Sequence, residues 1–290
     1  MKKNFTLLLS LFLWMVSVHV NAEVSVSVDG TVVIVTGTTA GDLKSALLAE
    51  SVDLATITEI TVSGNIDARD FVTMRDDMTV LAVVDITGAT VDAYTGLEGT
   101  LGNIGMDIPY DAGNIPAFAF SVPDLMGSGV PTGKTTLTTV KISQPVFGTS
   151  ILGMGFCFAG ALNLETVVFT DEVKDIGANS FSGCTSLESV DFLNKVEQIG
   201  LTSFDGCTDL KSVVIPANVK SITNNAFRNC NNIESFVFEP SSKLTILNVG
   251  MFDSPKLKTV TIPASITQLH NDAFALYTGE ILVEDGSATF

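Results

Sequence analysis

A six-residue phrase returns at nearly fixed spacing through the second half of this chain, and its period constrains the fold more than any other feature. LETVVF starts at Leu164, LESVDF at Leu187, LKSVVI at Leu210, IESFVF at Ile233 and LKTVTI at Leu257. The steps are 23, 23, 23 and 24 residues, and self-similarity at roughly 20–50 residues marks a solenoid. One such unit cannot cover its own apolar side chains. Neighbouring copies must do so, and the copies therefore share one core.

Within a unit the apolar positions repeat as well. Leu187, Val190 and Phe192 lead to Val196, Ile199, Phe204 and Cys207; the next copy supplies Leu210, Val213, Ile215, Val219, Ile222, Phe227 and Cys230. Val190 and Phe192 flank Asp191 in period-two alternation, which predicts a short strand with one face inward. Val196/Ile199 and Val219/Ile222 predict a second extended leg, reached through turn residues such as Asn194-Lys195 and Pro216-Ala217-Asn218. Ser203-Phe204-Asp205-Gly206-Cys207 then bends the chain back, read as a helical turn with its Phe buried.

The residues L-x-x-V-x-[IF]…V-x-x-I-x-x-x-x-F-x-x-C-x-x-L resemble the BspA-like leucine-rich repeats of secreted and surface bacterial proteins. Phe181-Ser182-Gly183-Cys184 and Phe204-Asp205-Gly206-Cys207 match that family's Phe-x-Gly-Cys turn, and Asn225-Ala226-Phe227 and Asp272-Ala273-Phe274 match its Ala-Phe step. The resemblance covers about 137–275, and Thr61–Phe71 with Met78–Ala89 resembles the amino-terminal part of such proteins. Gly153 departs from it at an apolar position, and Ser254-Pro255 replaces the Cys step of the fifth turn. It implies a β-rich leucine-rich-repeat solenoid and non-catalytic recognition of a protein or glycan, at the cell surface or from a host.

Lys2 and Lys3 precede an apolar Phe5–Val18 stretch, and Val20-Asn21-Ala22 offers a cleavage point, so residues 1–22 read as a secretory signal rather than an anchor. The apolar run is shorter than the ~20 residues a span needs, and no second one follows, so no stable membrane span is expected after cleavage. Removing the signal leaves 13 basic against 32 acidic residues, a balance of −19. Such a surface argues against nucleic acid and anionic membrane as partners. It also suits the solubility of an exported protein.

The chain then divides into an amino-terminal cap over 23–56, irregular early rungs over 57–136 and a regular solenoid over 137–290. Alternation on either side of Asp29-Gly30 predicts a hairpin. Thr39 and Asp42 resemble a capping box ahead of a helix over about 40–50. Hairpin and helix together form the cap. Ile60–Val62 and Leu81–Ile86 read as early rungs. Between them Asp67, Arg69, Asp70, Arg75, Asp76 and Asp77 fit no calcium loop and read as a solvated helix or turn. From Tyr94 to Pro131 the period breaks, with Gly96, Gly99, Gly102 and Gly105 at every third residue. This tract reads as an ordered excursion that returns through Ile115-Pro116 and Ala117-Phe118; it serves either specific contacts or connection alone.

Catalytic chemistry finds little footing. Gly133-Lys134-Thr135 resembles the end of a phosphate loop, but Ser128 stands where its first Gly belongs. His270 is the one histidine beyond the leader and reads as a surface imidazole, so no enzyme and no cofactor are expected. Cys184, Cys207 and Cys230 are repeat-equivalent, with Cys157 beside the equivalent Phe158. Adjacent rungs sit about 4.8 Å apart, inside the disulfide window, which leaves a bridge open. Three thiols in a column cannot all pair, however, and a free-thiol ladder is the expectation. A straight column gives no tetrahedral zinc site.

The remaining candidate is surface. Outward strand positions form one column of Thr139, Thr166, Ser189, Ser212, Ser235 and Thr259, and another of Lys141, Val168, Asp191, Val214, Val237 and Thr261. The binding positions expected here are Thr166, Val168, Ser189, Asp191, Ser212, Val214, Ser235, Val237, Thr259 and Thr261. Two readings stay open: a recognition strip, or residue types that suit any exposed parallel sheet. A structural spacer of the cell envelope with no specific ligand is the alternative function.

Overall fold

The computed structural model describes residues 24–102, 105–123, 131–145, 155–170, 173–192 and 195–285. The expected leader, Ser128, Gly153 and Asn194 lie outside them. The chain is a β-solenoid. Strands β1 (Ser25–Asp29) and β2 (Val32–Thr38) form the antiparallel hairpin around Asp29-Gly30, and Gly30 takes the left-handed conformation (φ 61°) that such a turn demands. Helix α1 (Leu43–Ala49) follows, with Leu43 and Leu47 fully buried. From β2 onward the main sheet is parallel. It passes through β3 (Glu59–Ile66) and β4 (Val83–Val91).

Between β3 and β4 lies helix α2 (Ala68–Val72), which runs into a π-type turn over Thr73–Asp77. This is the charged stretch expected as a solvated helix or turn. Helix and turn are there and Asp76 is exposed, but the structure corrects the expectation of solvation at Asp67 and Asp70. Asp67 and Asp70 are 2% and 1% exposed. Asp70 closes a capping box with Asp67 at the start of α2. It also accepts from the backbone N–H groups of Gly41 and Leu43, at 2.7 and 3.0 Å, at the start of α1. One carboxylate thus caps two helices. The expected Thr39/Asp42 box does not form: Asp42 makes no side-chain cap, and its N–H goes to the Thr39 carbonyl at 3.0 Å. Burial outweighs these three donors and pushes the Asp70 carboxyl up to about 6.

After β4 the excursion begins. Strands β5 (Tyr94–Gly96) and β6 (Ile108–Tyr110) pair antiparallel, and Leu101, Ile108, Tyr110, Ala117 and Phe118 form a satellite core with Ala68. Arg75 anchors this excursion: its Nη1 donates to the carbonyls of Thr100, Phe118 and Ser121 at 2.7, 2.9 and 3.1 Å. Ile115 and Ala117 are fully buried on the return, as expected, and so is Phe120. Strands β7 (Ser121–Val122) and β8 (Thr132–Gly133) close the excursion. The main sheet then resumes with β9 (Thr139–Ile142), which pairs directly with β4, and β10 (Thr166–Phe169).

A single bridge, Val168 to Asp191, carries the ladder to the strands Ser189–Val190, Ser212–Ile215 and Ser235–Phe238. The predicted second leg exists as a parallel ladder of Asp175–Ile176, Gln198–Ile199 and Ser221–Ile222. The Phe-x-Gly-Cys tract is not a helical turn. Asn179, Thr202 and Asn225 reverse the chain at positive φ (56°, 50° and 59°). Alternate N–H groups then point to the next rung: Phe181 to Ser203, Gly183 to Asp205, Phe204 to Ala226 and Gly206 to Arg228, all at 2.7–2.8 Å. Between them Ser182, Cys184, Asp205 and Cys207 bond back within their own rung at 3.1–3.2 Å. The regular rungs are therefore bonded to one another along three lines.

Inside, the rings stack. Phe120, Phe158, Phe181, Phe204 and Phe227 succeed one another with centroids 5.3, 5.1, 5.3 and 5.4 Å apart and planes within 11° of parallel. Such pairs add about 0.5–1.5 kcal/mol each beyond the burial of their area. The regularity fails once, at the 24-residue step. Ser235–Phe238 and Thr259–Ile262 make no ladder; the latter pairs onward with Glu280–Val283. Ser221–Ile222 and Ile246–Leu247 do not pair either, and Phe236 stands between Phe227 and Phe252. Glu239-Pro240-Ser241-Ser242 carries the extra length, with Ser241 at φ 64°.

Candidate functional site

Every one of the ten outward positions is exposed: Thr166, Val168, Ser189, Asp191, Ser212, Val214, Ser235, Val237, Thr259 and Thr261. The strand pleat places them there, because Val167, Val190, Val213, Phe236 and Val260 alternate with them and fill the core. The register aligns Thr139 with Thr166 in the main sheet, and Ser189 with Ser212 and Ser212 with Ser235 in the three-stranded sheet that follows it. Val168, Val214 and Val237 are 42%, 46% and 46% exposed. Thr139 and Lys141 are half-buried, and Lys141 pairs with Asp85 at 3.2 Å. The two columns do not run unbroken to their end. Thr259 and Thr261 lie beyond the dislocation, out of register with Ser235 and Val237.

Two grooves indent this face. One of about 270 Å³ is lined by Ser189, Asp191, Val214, Pro216 and Glu239. The other, about 340 Å³, opens at the dislocation, where Ser235, Val237, Thr259 and Thr261 meet Glu234, Lys258 and Glu284. Strands that cease to pair leave room between their side chains. The longer rung that breaks the ladder thereby shapes the surface.

The other chemistry-bearing residues are elsewhere. Cys157, Cys184, Cys207 and Cys230 are buried free thiols. The Sγ atoms of Cys184, Cys207 and Cys230 donate to the carbonyls of Phe158, Phe181 and Phe204 at 3.2, 3.2 and 3.1 Å. Burial raises all four thiols far above their ordinary range. At the departure in the fifth turn, Ser254 takes the buried slot and donates to the Ile233 carbonyl at 2.8 Å. His270 is exposed, and its Nδ1 accepts from the Asp272 N–H at 3.3 Å. Lys134 binds carbonyls, not phosphate: its Nζ donates to Arg75 and Met78 at 2.9 and 2.7 Å, and burial lowers its pKa. Among the described residues, no group of three or more His, Cys, Asp or Glu is placed to hold a metal ion, and no helix is long and apolar enough to cross a membrane.

The sequence reading missed the double cap of Asp70, the anchoring by Arg75 and the ring of Phe120. Phe120 carried a usable signal, since Ala119-Phe120 has the same Ala-Phe step as Ala226-Phe227. The Asp67/Asp70 box is local, but the reach of Asp70 to α1 and the anchoring by Arg75 carried no signal, because those partners are 25–46 residues away in sequence.

Three bonded lines per rung and a buried Phe column define a leucine-rich-repeat solenoid. Residues 154–278 match, in six copies, the family model described as BspA type Leucine rich repeat region, and this segment is an array of that type. Solved structures are similar to the chain as well. A T. pallidum leucine rich repeat protein is 16% identical, with TM-score 0.36 over 89% of this chain and 82% of that one. A Bacteroides ovatus leucine-rich repeat protein is 18% identical, with TM-score 0.43 over 80% of this chain and 55% of that one. The pneumococcal vaccine antigen PcpA is 16% identical, with TM-score 0.38 over 91% of this chain and 48% of that one. No curated protein matches in sequence.

Proposed function

We propose that this is an exported, non-catalytic recognition protein that holds a protein partner against its outward strands. The supporting observation is the line of half-exposed valines, Val168, Val214 and Val237, bordered by hydroxyls on an otherwise acidic molecule. A strip of exposed valines and hydroxyls, interrupted by Asp191 and indented by two grooves with charged rims, suits a protein surface, where an apolar centre with a polar rim is usual. Export is supported by the leader-like first 22 residues and by the repeat type. The division into leader (1–22), cap (23–56), early rungs (57–136) and regular solenoid (137–290) belongs to the same proposal.

The test is capture of partners from host secretions and cell extracts by the mature protein, with Val214→Arg and Val237→Arg compared. Both side chains point to solvent, so melting should not change. Loss of capture by the variants at unchanged melting supports recognition through this face. Equal capture by variant and parent refutes the face, and no capture at all leaves the spacer role.

A further inference from the structure

The charged stretch that the outward strip does not use borders, with α1 and the Gly-rich segment after β5, a separate open cavity of about 470 Å³ on the surface. This lies within the roughly 300–1,000 Å³ of small-molecule sites. Three cations and three carboxylates line it: Lys44, Arg69 and Arg75 with Asp76, Asp77 and Glu98. Lys44 pairs with Asp77 at 3.0 Å, and Arg75 holds Asp76 through Nε and Nη2 at 2.7 and 2.9 Å. Arg69 is fixed from behind by Asp67 at 2.6 Å and by the Ala40 carbonyl at 3.1 Å. Its guanidinium lies 4.9 Å from the centre of the Tyr94 ring. Gly41, Gly99 and Gly102 leave bare backbone on the wall, and Leu97 and Val72 add a small apolar surface.

This lining selects among ligand classes. A phosphate or carboxylate would meet three carboxylates beside the three cations, on a protein of net charge −17. A hydrocarbon would strip water from ion pairs and return no hydrogen bonds. A polyol faces neither penalty. Each hydroxyl both donates and accepts, so neighbouring hydroxyls satisfy a carboxylate and a cation at once. Sugar C–H faces also have Leu97 and Val72 to cover. The ion pairs already hold most of these side chains in place, so little rotamer freedom remains to be lost on binding.

We propose that this cavity binds a neutral glycan, with Asp76, Asp77 and Glu98 accepting from its hydroxyls and Lys44 and Arg69 donating to them. The site is distinct from the outward strands and stands independently of whether they hold a protein. The test is calorimetric titration of the purified protein with cellohexaose, maltohexaose, mannohexaose and chitohexaose, and with trigalacturonate as the acidic comparison. Saturable binding of at least one neutral hexaose is expected. Asp76→Ala and Glu98→Ala should each weaken it by about tenfold, as loss of a hydrogen bond to a charged group does, while Val214→Arg leaves it unchanged. Glu98 is exposed, so that variant keeps the fold. Failure of all four neutral sugars to bind overturns the proposal. So does a preference for trigalacturonate, or an affinity indifferent to both carboxylate variants.

Discussion

The side-chain amide of Asn248 donates a 2.6 Å hydrogen bond to the carbonyl of Ile222, across the one place where the second-leg ladder is broken. In regular rungs a backbone N–H makes this link: Gly200 to Ile176, Thr223 to Ile199 and His270 to Leu247, at 2.8–2.9 Å. The extra length of the dislocated rung carries the Asn248 backbone out of reach, and its side chain spans the difference. Asn248 is therefore a splice between two stretches of solenoid.

Replacing Asn248 by Ala leaves the Ile222 carbonyl buried without this donor, at a cost of about 1–3 kcal/mol. Because a repeat array is held together by nearest-neighbour interfaces, the loss should be local. Hydrogen exchange should quicken in 243–283 and stay unchanged in the rungs before Ser221. Uniform quickening along the chain would deny the splice.

Asp70 gives a pH dependence of unusual sign. Its carboxyl is raised to about 6 in the folded protein, first by burial, against roughly 3.9 unfolded. A raised folded pKa means that folding takes up a proton between those values. The associated stability is complete below about pH 3.9 and is lost as pH rises through about 6. Asp67 and Arg69 face the same group and stay in place in the comparison. From about pH 7 to about pH 5 the parent should gain about 1 kcal/mol over Asp70→Asn in urea unfolding. An identical gap at both pH values would contradict the assignment.

The thiol column should be chemically silent. Buried sulfhydryls held far above their ordinary pKa supply almost no thiolate, the reactive form. Ellman's reagent should label none of the four cysteines in the native protein within minutes near neutral pH, and all four in denaturant. Prompt labelling of Cys207 in the native state would show that the rungs open there.

How much of this was readable beforehand follows from the range of each interaction. The repeat, the outward columns, the two extended legs and the Phe181/Phe204/Phe227 stack rest on spacing alone, and spacing is written in the sequence. The Ser203-Phe204-Asp205-Gly206-Cys207 tract differs from the expected helical turn although its buried Phe is as expected, and its residues are weak helix formers. Only alternate N–H groups turn back along their own rung, those of Asp205 and Cys207; those of Phe204 and Gly206 find acceptors only when the next rung is present. The density of charge at Asp67, Asp70 and Arg75 suggests water. Asp67 is instead satisfied locally by Arg69, while Asp70 and Arg75 also reach distant backbone groups that no local pattern announces. The break after Phe238 was visible as a step of 24, yet its consequence, a groove lined by outward candidates, needs the geometry of strands that fail to pair.

The central claim is that the rungs share one apolar interior, so that removing a ring from the middle is felt on both sides. Phe204 is fully buried between Phe181 and Phe227, and Phe204→Ala should cost about 3–5 kcal/mol. The decisive measurement is hydrogen exchange of that variant, resolved by rung. Protection should fall together in the rungs of Phe181, Phe204 and Phe227; a loss confined to the rung of Phe204, with both neighbours as protected as in the parent, would contradict a shared core.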